Sequence, residues 1–276
     1  MDNNIRFPVR FFVITFIWSW ICWTPLVLGS LKIIPVTDKL LSSLTLPIIM
    51  IGVFGPLAGA LSVLHREQGK GSSGKYLRRF LDIRLGWKAY FIPVLIFGGS
   101  TFIAWFLPEL SGGKRLAMLL PSPWLFIPYL LMMIFLGGGQ EEFGWRGYAL
   151  PILEKKFGIW FANIILGVIH ALWHLPLWFI TGTSQTYMNF GGFILLIVGY
   201  SFILSWIRKV SGNRPFSGLY AHGLANAFIP FMPTLIMQKN VSQPHFWIWV
   251  TMTFLIGILI TILRKEKWVK QNVQTE

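Results

Sequence analysis

Apolar residues arrive in long blocks along this chain, and polar residues gather in the short stretches between them. Eight blocks stand out, at about 11–28, 46–64, 89–107, 124–147, 158–180, 190–207, 216–236 and 246–263. Roughly 20 apolar residues in a helix cross the ~30 Å hydrocarbon core of a bilayer. A helix also satisfies its own backbone there, which an irregular segment does not. The pattern therefore predicts an all-α, polytopic membrane protein with about eight transmembrane helices. No connecting segment is long enough to hold a core of its own. Residues 1–276 are thus expected to form a single transmembrane domain. The first block, 11–28, is long for a signal-peptide core and no A-x-A site follows it, so it is expected to be an uncleaved span.

Composition sharpens this picture. The 276 residues are 54% hydrophobic and only 12% charged, outside the range of soluble domains. The net charge of +14 would suggest nucleic acid in a soluble chain. In a membrane protein it places basic loops against anionic lipid, and no nucleic-acid partner is expected. With the N-terminus inside, 18 Lys and Arg fall in the inside segments and 5 in the outside loops, with Arg146 left within a span. That bias predicts that both termini are cytoplasmic, in a multi-pass protein of the cell membrane. The single cysteine, Cys22, rules out an internal disulfide and a multi-cysteine metal cluster. Between the second and third blocks, GKGSSGKY superficially matches a phosphate-binding loop. It lacks the hydroxyl residue after Lys75 and a preceding strand, so a flexible basic loop is expected over 65–88.

The exceptions to the apolar pattern carry the chemistry. Glu141, Glu142, Arg146, His170 and His174 lie within apolar blocks, and His222 and Asn226 follow in a third. A charge at the bilayer centre costs roughly 2.5–3.5 kcal/mol, so such residues usually line an interior site. Glu142/Arg146, His170/His174 and His222/Asn226 are each spaced i,i+4, which puts both members on one helix face. The clean apolar part of the fourth block, Trp124 to Leu136, gives roughly 20 Å of helix. The helix is therefore expected to continue through GGGQEE, carrying the glutamates into the membrane. Glu142 and Arg146 are expected to form an ion pair, leaving Glu141 to act on water as a base. His174 would either partner Glu141 or ligate a metal. His222 and Asn226 would donate to an oxyanion, worth about 3–4 kcal/mol when well placed. The sum is equipment for peptide hydrolysis without a covalent intermediate.

These residues resemble a known family. EEFGWR matches its E-E-x-x-x-R motif, HLPLW around His174 its second motif, and His222-x-x-x-Asn226 its third. The family is the CPBP group of intramembrane endopeptidases, the type II CAAX prenyl proteases and their bacterial Abi-type relatives. The resemblance runs from about Gly137 to Asn226, within an expected catalytic core of about 124–236. It implies eight helices and an intramembrane site open to the cytoplasm. It also implies that Glu141 and His174 activate the water while His222 and Asn226 hold the oxyanion. The substrate it implies is a peptide or protein in the membrane, with the bilayer as the other partner. A divalent metal such as zinc, held by Glu141, His174 and His222, stays open beside a glutamate-only mechanism. At His170 the family usually has an aromatic ring, so His170 is expected to fill that space and to be dispensable.

Two other functions compete with the endopeptidase. Glu and His within spans also serve proton-coupled transporters, and a catalytically silent bacteriocin-immunity protein would need no chemistry. One geometric tension remains within the sequence. Counted from the cytoplasmic end of the fifth block, His174 lies roughly 24 Å deep, far below Glu141. Either residues 151–162 run along the interface, or tilt and Pro176 bring His174 back.

Overall fold

The computed structural model describes residues 5–273, with side chains described through Leu263. The two chain ends, expected in the cytoplasm, lie outside the described residues. Every regular element among the described residues is helical. Six stretches are long and apolar enough to cross a membrane: Val9–Ser30, Asp38–Gln68, Trp87–Ser111, Pro123–Phe179, Phe190–Val210 and Pro244–Leu263. The chain is an all-α, multi-pass membrane protein.

The eight expected spans relate simply to these six. The fourth and fifth share the 57-residue stretch Pro123–Phe179. The seventh forms a helix of 16 residues, Phe216–Phe231, about 24 Å long and so short of a full crossing.

The N-terminal third is a three-helix unit of α1 (Val9–Ser30), α2 (Asp38–Gly52) and α3 (Gly55–Gln68). Thr37 caps α2 by accepting from the Leu40 amide, with Asp38 in the first turn, where the helix dipole favours an acid. The G-x-x-x-G of α3 meets α1 closely. A Cβ on Gly59 would come 2.5 Å from Thr15 Oγ1 and 3.0 Å from the Phe11 carbonyl oxygen. Only glycine permits that approach.

The segment 65–88, expected as a flexible loop, is largely helical. It forms α4 (Ser72–Arg78) and a 3-10 turn, Arg79–Leu81. Tyr76 and Phe80, an i,i+4 pair, bury one face of it. The Tyr76 hydroxyl donates to the Phe143 carbonyl, and the Phe80 and Phe143 rings lie 4.2 Å apart. The surrounding lysines and arginines masked this face in the sequence. Asp82, just beyond, receives Arg84 and Arg214. The hydrogen bond from Arg84 holds its carboxyl well below the usual carboxylate range.

After α5 (Trp87–Pro93), α6 (Gly99–Phe106) and α7 (Phe126–Phe135) comes α8 (Leu150–Trp173). Gly158, at φ 73° and ψ 170°, breaks α8 into two limbs. The limb before Gly158 therefore does not continue the axis of the limb that carries His170. α9 (Phe190–Val210) is buried on all sides from Leu196 to Ile207, as expected of a helix that is apolar all round. α8, α10 (Phe216–Phe231) and α11 (Pro244–Val273) pack against it. Polar bonds fix α8 to α9: Ser201 donates to Asn163 at 3.0 Å, Ser205 to Glu154 at 3.0 Å and Arg208 to Glu154 at 2.6 Å. Two apolar clusters result, one built on α1–α3 with Trp145 and Trp173, the other on α6, α9, α10 and α11.

The Lys/Arg asymmetry yields a topology prediction at Lys70, which is exposed beside α4. With Cys22→Ser as background, Lys70→Cys should react with a membrane-impermeant maleimide in inside-out vesicles and stay unlabelled in right-side-out cells. Labelling from outside would invert the topology.

Candidate active site

The site begins with a broken helix. α7 does not run on through GGGQEE as expected. It stops at Phe135, and Gly138 takes φ +134° before a 3-10 turn, Gly139–Phe143, and a π turn, Trp145–Ala149. A break within an apolar layer leaves backbone groups without partners, each expensive to leave so. Side-chain amides take them up. Gln140 accepts from the Gly138 amide at 2.9 Å and donates to the Leu136 carbonyl at 2.9 Å. Asn226 of α10 donates to the Gly137 carbonyl at 2.7 Å. A Cβ on Gly138 would lie 2.3 Å from Asn226 Nδ2 and 3.2 Å from His222 Nε2. Both its φ and this contact require glycine.

Glu142 ties the turn to α10. Its Oε1 accepts from Arg146 Nη1 at 2.8 Å and from His222 Nδ1 at 2.8 Å. The expected Glu142/Arg146 ion pair is present and buried. The bond at Nδ1 orients the His222 ring, leaving Nε2 on the side of Gly138 and Asn226.

Glu141 points elsewhere, toward the end of α8. It is 3% exposed, and its Oε2 lies 2.9 Å from Nε2 of His170, which is 1% exposed. Trp145 covers the His170 ring, with centroids 4.8 Å apart. His174 follows at the C-cap of α8, half-buried, its Nδ1 3.0 Å from the His170 carbonyl oxygen. A carbonyl only accepts, so Nδ1 carries the proton and Nε2 keeps its lone pair. Glu141, His170 and His174 each offer one ligand atom, all within 4.8 Å of one another.

The structure thus brings the six expected residues into two linked groups. Glu142 joins Arg146 to His222, and His222 and Asn226 flank Gly138. Glu141 and His174 converge with His170, which was expected to be a space-filler. The donor set expected for a metal changes accordingly. Nitrogen and carboxylate donors suit zinc, but His222 faces Glu142, and the converging donors are Glu141, His170 and His174. Sequence reasoning also missed Gln140 and Tyr76. For His170 the signal was present, as the i−4 neighbour of His174.

Comparison with known proteins agrees with this architecture. Residues 123–228 match the family described as type II CAAX prenyl endopeptidase Rce1-like. That segment holds the three motifs, and its likeness is to the family they indicated. Residues of the chain are 31% identical over 108 positions to CAAX prenyl protease 2 of Methanococcus maripaludis, covering 37% of this chain and 39% of that protein. They are 28% identical over 148 positions to lysostaphin resistance protein A of Staphylococcus haemolyticus, covering 51% of this chain and 35% of that protein. The chain thus matches well under half the length of either relative.

Two stability predictions follow from this geometry. Glu142→Gln removes the charge that Arg146 and His222 share, and breaking a buried pair costs about 3–5 kcal/mol. The variant should melt well below wild type in detergent, whereas Glu141→Gln, which loses one neighbour, should melt close to it. Equal melting temperatures for Glu142→Gln and wild type would show that the ion pair is not structural. Gly138→Ala should also melt lower, because Asn226 must give up the Gly137 carbonyl to make room. An unchanged melt there would mean the turn accommodates a Cβ.

Proposed function

We propose that this protein is an intramembrane endopeptidase that hydrolyses peptide bonds of membrane-associated or lipidated peptides with a water activated by Glu141 and His174. The observation that carries the reading is the division between the two glutamates: Glu142 is spent on Arg146 and His222, while Glu141 faces two histidines. The family match over residues 123–228 and the likeness to a CAAX prenyl protease support it.

In this reading Glu141 takes a proton from a water lying between it and His174 Nε2. The remaining hydroxide attacks the scissile carbonyl carbon, and the carbonyl π electrons move onto oxygen. That oxyanion is received beside Gly138, by Asn226 and by His222 Nε2 when the ring is protonated. The C–N bond then breaks, and Glu141 returns its proton to the leaving amine. Asn226 has two N–H groups, one of which holds Gly137, so the other is available to the oxyanion. Each well-placed donor is worth about 3–4 kcal/mol. Among the groups that could hold a metal, Glu141, His170 and His174 would do so, and the ion would supply Lewis acidity to the water. Residues 124–236 then act as the catalytic core of a single transmembrane domain, 1–276, with the site opening to the cytoplasm.

A second reading is favoured by the match to a lysostaphin resistance protein. The chain would then protect its host as a membrane protein without cleaving peptides.

The experiment that separates them is digestion of a lipidated peptide library by purified protein in detergent. Cleavage is expected from wild type, with turnover lower by about 10²–10⁴-fold or more in Glu141→Ala and His174→Ala, at unchanged melting temperature. Wild-type turnover by either variant would sink the assignment, and no cleavage by wild type would favour the second reading.

A further inference from the structure

A cavity of about 740 Å³ opens at the polar end of α1, and none of the proposed catalytic residues lines it. Its walls are residues 5–8, the first turns of α1, Val63 and Glu67 of α3, and Tyr148 and Ile152. We propose that it binds an anionic phospholipid from the surrounding bilayer, with the phosphodiester between Arg6 and Arg10 and an acyl chain laid along α1. The inference goes beyond the hydrolytic reading and does not depend on it.

Charge selects the ligand. Arg6 and Arg10 both line the cavity, and neither makes an ion pair among the described residues. A guanidinium is weakly hydrated for a cation and bonds phosphate oxygens through its fork of donors. α1 begins here without a side-chain cap and without an acid in its first turn, so its dipole adds to the attraction for an anion. Glu67 is the one carboxylate on the wall. Two arginines against it leave one net positive charge, which a single phosphodiester neutralises. Glu67 accepts hydrogen bonds, so a headgroup with hydroxyls, such as glycerol, satisfies it, whereas a second headgroup anion meets repulsion.

Shape selects a lipid over a free phosphate. Val9, Val13, Ile17 and Ile21 are exposed, and their i,i+4 spacing sets them in a ridge along the helix. The first two line the cavity and the last two continue the ridge beyond it. An acyl chain can follow that ridge while its phosphate stays with the arginines; a soluble phosphate gains nothing from it. The wall is also held in place by the fold. Lys156 donates to the Ile5 carbonyl at 2.7 Å, and Phe7 packs on Phe12 and Phe157, with centroids 5.4 and 6.2 Å apart. A wall fixed in this way loses little freedom when a ligand arrives.

The cavity reaches the turn after Glu142. Tyr148 belongs to the π turn Trp145–Ala149, and its ring lies 5.2 Å from Phe11, which packs on Trp145 at 5.6 Å. Bound lipid should therefore steady that turn and raise the melting temperature.

The test reads lipid binding directly. Full-length protein, purified in detergent and freed of lipid, is titrated with phosphatidylglycerol, phosphatidylcholine or glycerol 3-phosphate. Native mass spectrometry and melting temperature report the result. Wild type should retain about one phosphatidylglycerol per chain, several-fold more tightly than phosphatidylcholine, and melt higher with it. Glycerol 3-phosphate should neither bind at matched concentration nor displace the lipid. Arg6→Gln together with Arg10→Gln should weaken phosphatidylglycerol about 30-fold, the worth of two basic side chains at a membrane surface. Lys70→Gln together with Arg78→Gln removes two exposed cations elsewhere and should bind as wild type does. Because losing two N-terminal arginines could disturb insertion, Ile152→Trp provides the second arm. It keeps every charge, fills the cavity, and should lose the lipid to a similar degree. Equal retention of phosphatidylcholine, tight binding of glycerol 3-phosphate, equal loss in the Lys70 and Arg78 variant, or undiminished lipid in Ile152→Trp would each overturn the site. No arm reads peptide cleavage, so the hydrolytic reading stands or falls separately.

Discussion

One carboxylate oxygen organises this molecule. Glu142 Oε1 receives Arg146 from the turn that follows it and His222 from α10, both at 2.8 Å. Taking a carboxylate and a guanidinium out of water costs several kcal/mol per ion, and only close pairing with further hydrogen bonds returns that cost. Here pairing does so between two elements 80 residues apart in sequence. The same contact holds α10 against the broken end of α7, where Asn226 and Gln140 replace the missing helical hydrogen bonds. Once Glu142 is committed in this way, its neighbour Glu141 is left to face α8. The arrangement has the logic of a mechanism: one glutamate builds the site and the other is available to act in it.

The rest of the fold serves that turn. Tyr76 and Phe80 press on Phe143 from one side, and Trp145 packs on His170 and Trp173 from the other. Trp20 of α1 donates to the Trp173 carbonyl at 3.0 Å, so the N-terminal unit steadies the end of α8 that carries both histidines. Broken helices with polar groups at membrane depth also occur in transporters, where paired halves repeat. No repeat is visible in this sequence, and the polar groups here converge on one turn rather than forming a relay through the layer.

Much of this was legible in the sequence, and the reason is physical. Charge in an apolar block is so costly that Glu141, Glu142, Arg146, His174, His222 and Asn226 announced themselves, and i,i+4 spacing correctly paired Glu142 with Arg146. Length alone gave the all-α, multi-pass class. The shortfalls share a cause. Periodicity assumes that helices continue, and here three do not: α7 breaks at its glycines, α8 bends at Gly158, and α10 is too short to cross. Glycine signals a possible break but does not say whether one occurs, because tertiary partners such as Asn226 decide it. Glu154, between the fourth and fifth expected blocks, lies within α8 and pairs with Arg208. Spacing pairs His170 with His174 but does not show that Glu141 turns toward it.

The central claim is that water is activated at Glu141 while the oxyanion gathers beside Gly138. A structure of the protein with a peptidyl aldehyde bound tests it most directly. The account predicts that the aldehyde binds as its hydrate, with one oxygen in hydrogen-bond reach of Glu141 and the other beside Asn226 Nδ2 and His222 Nε2. Density joining the aldehyde carbon to a serine, lysine or cysteine side chain, or a peptide bound away from Glu141, would contradict it.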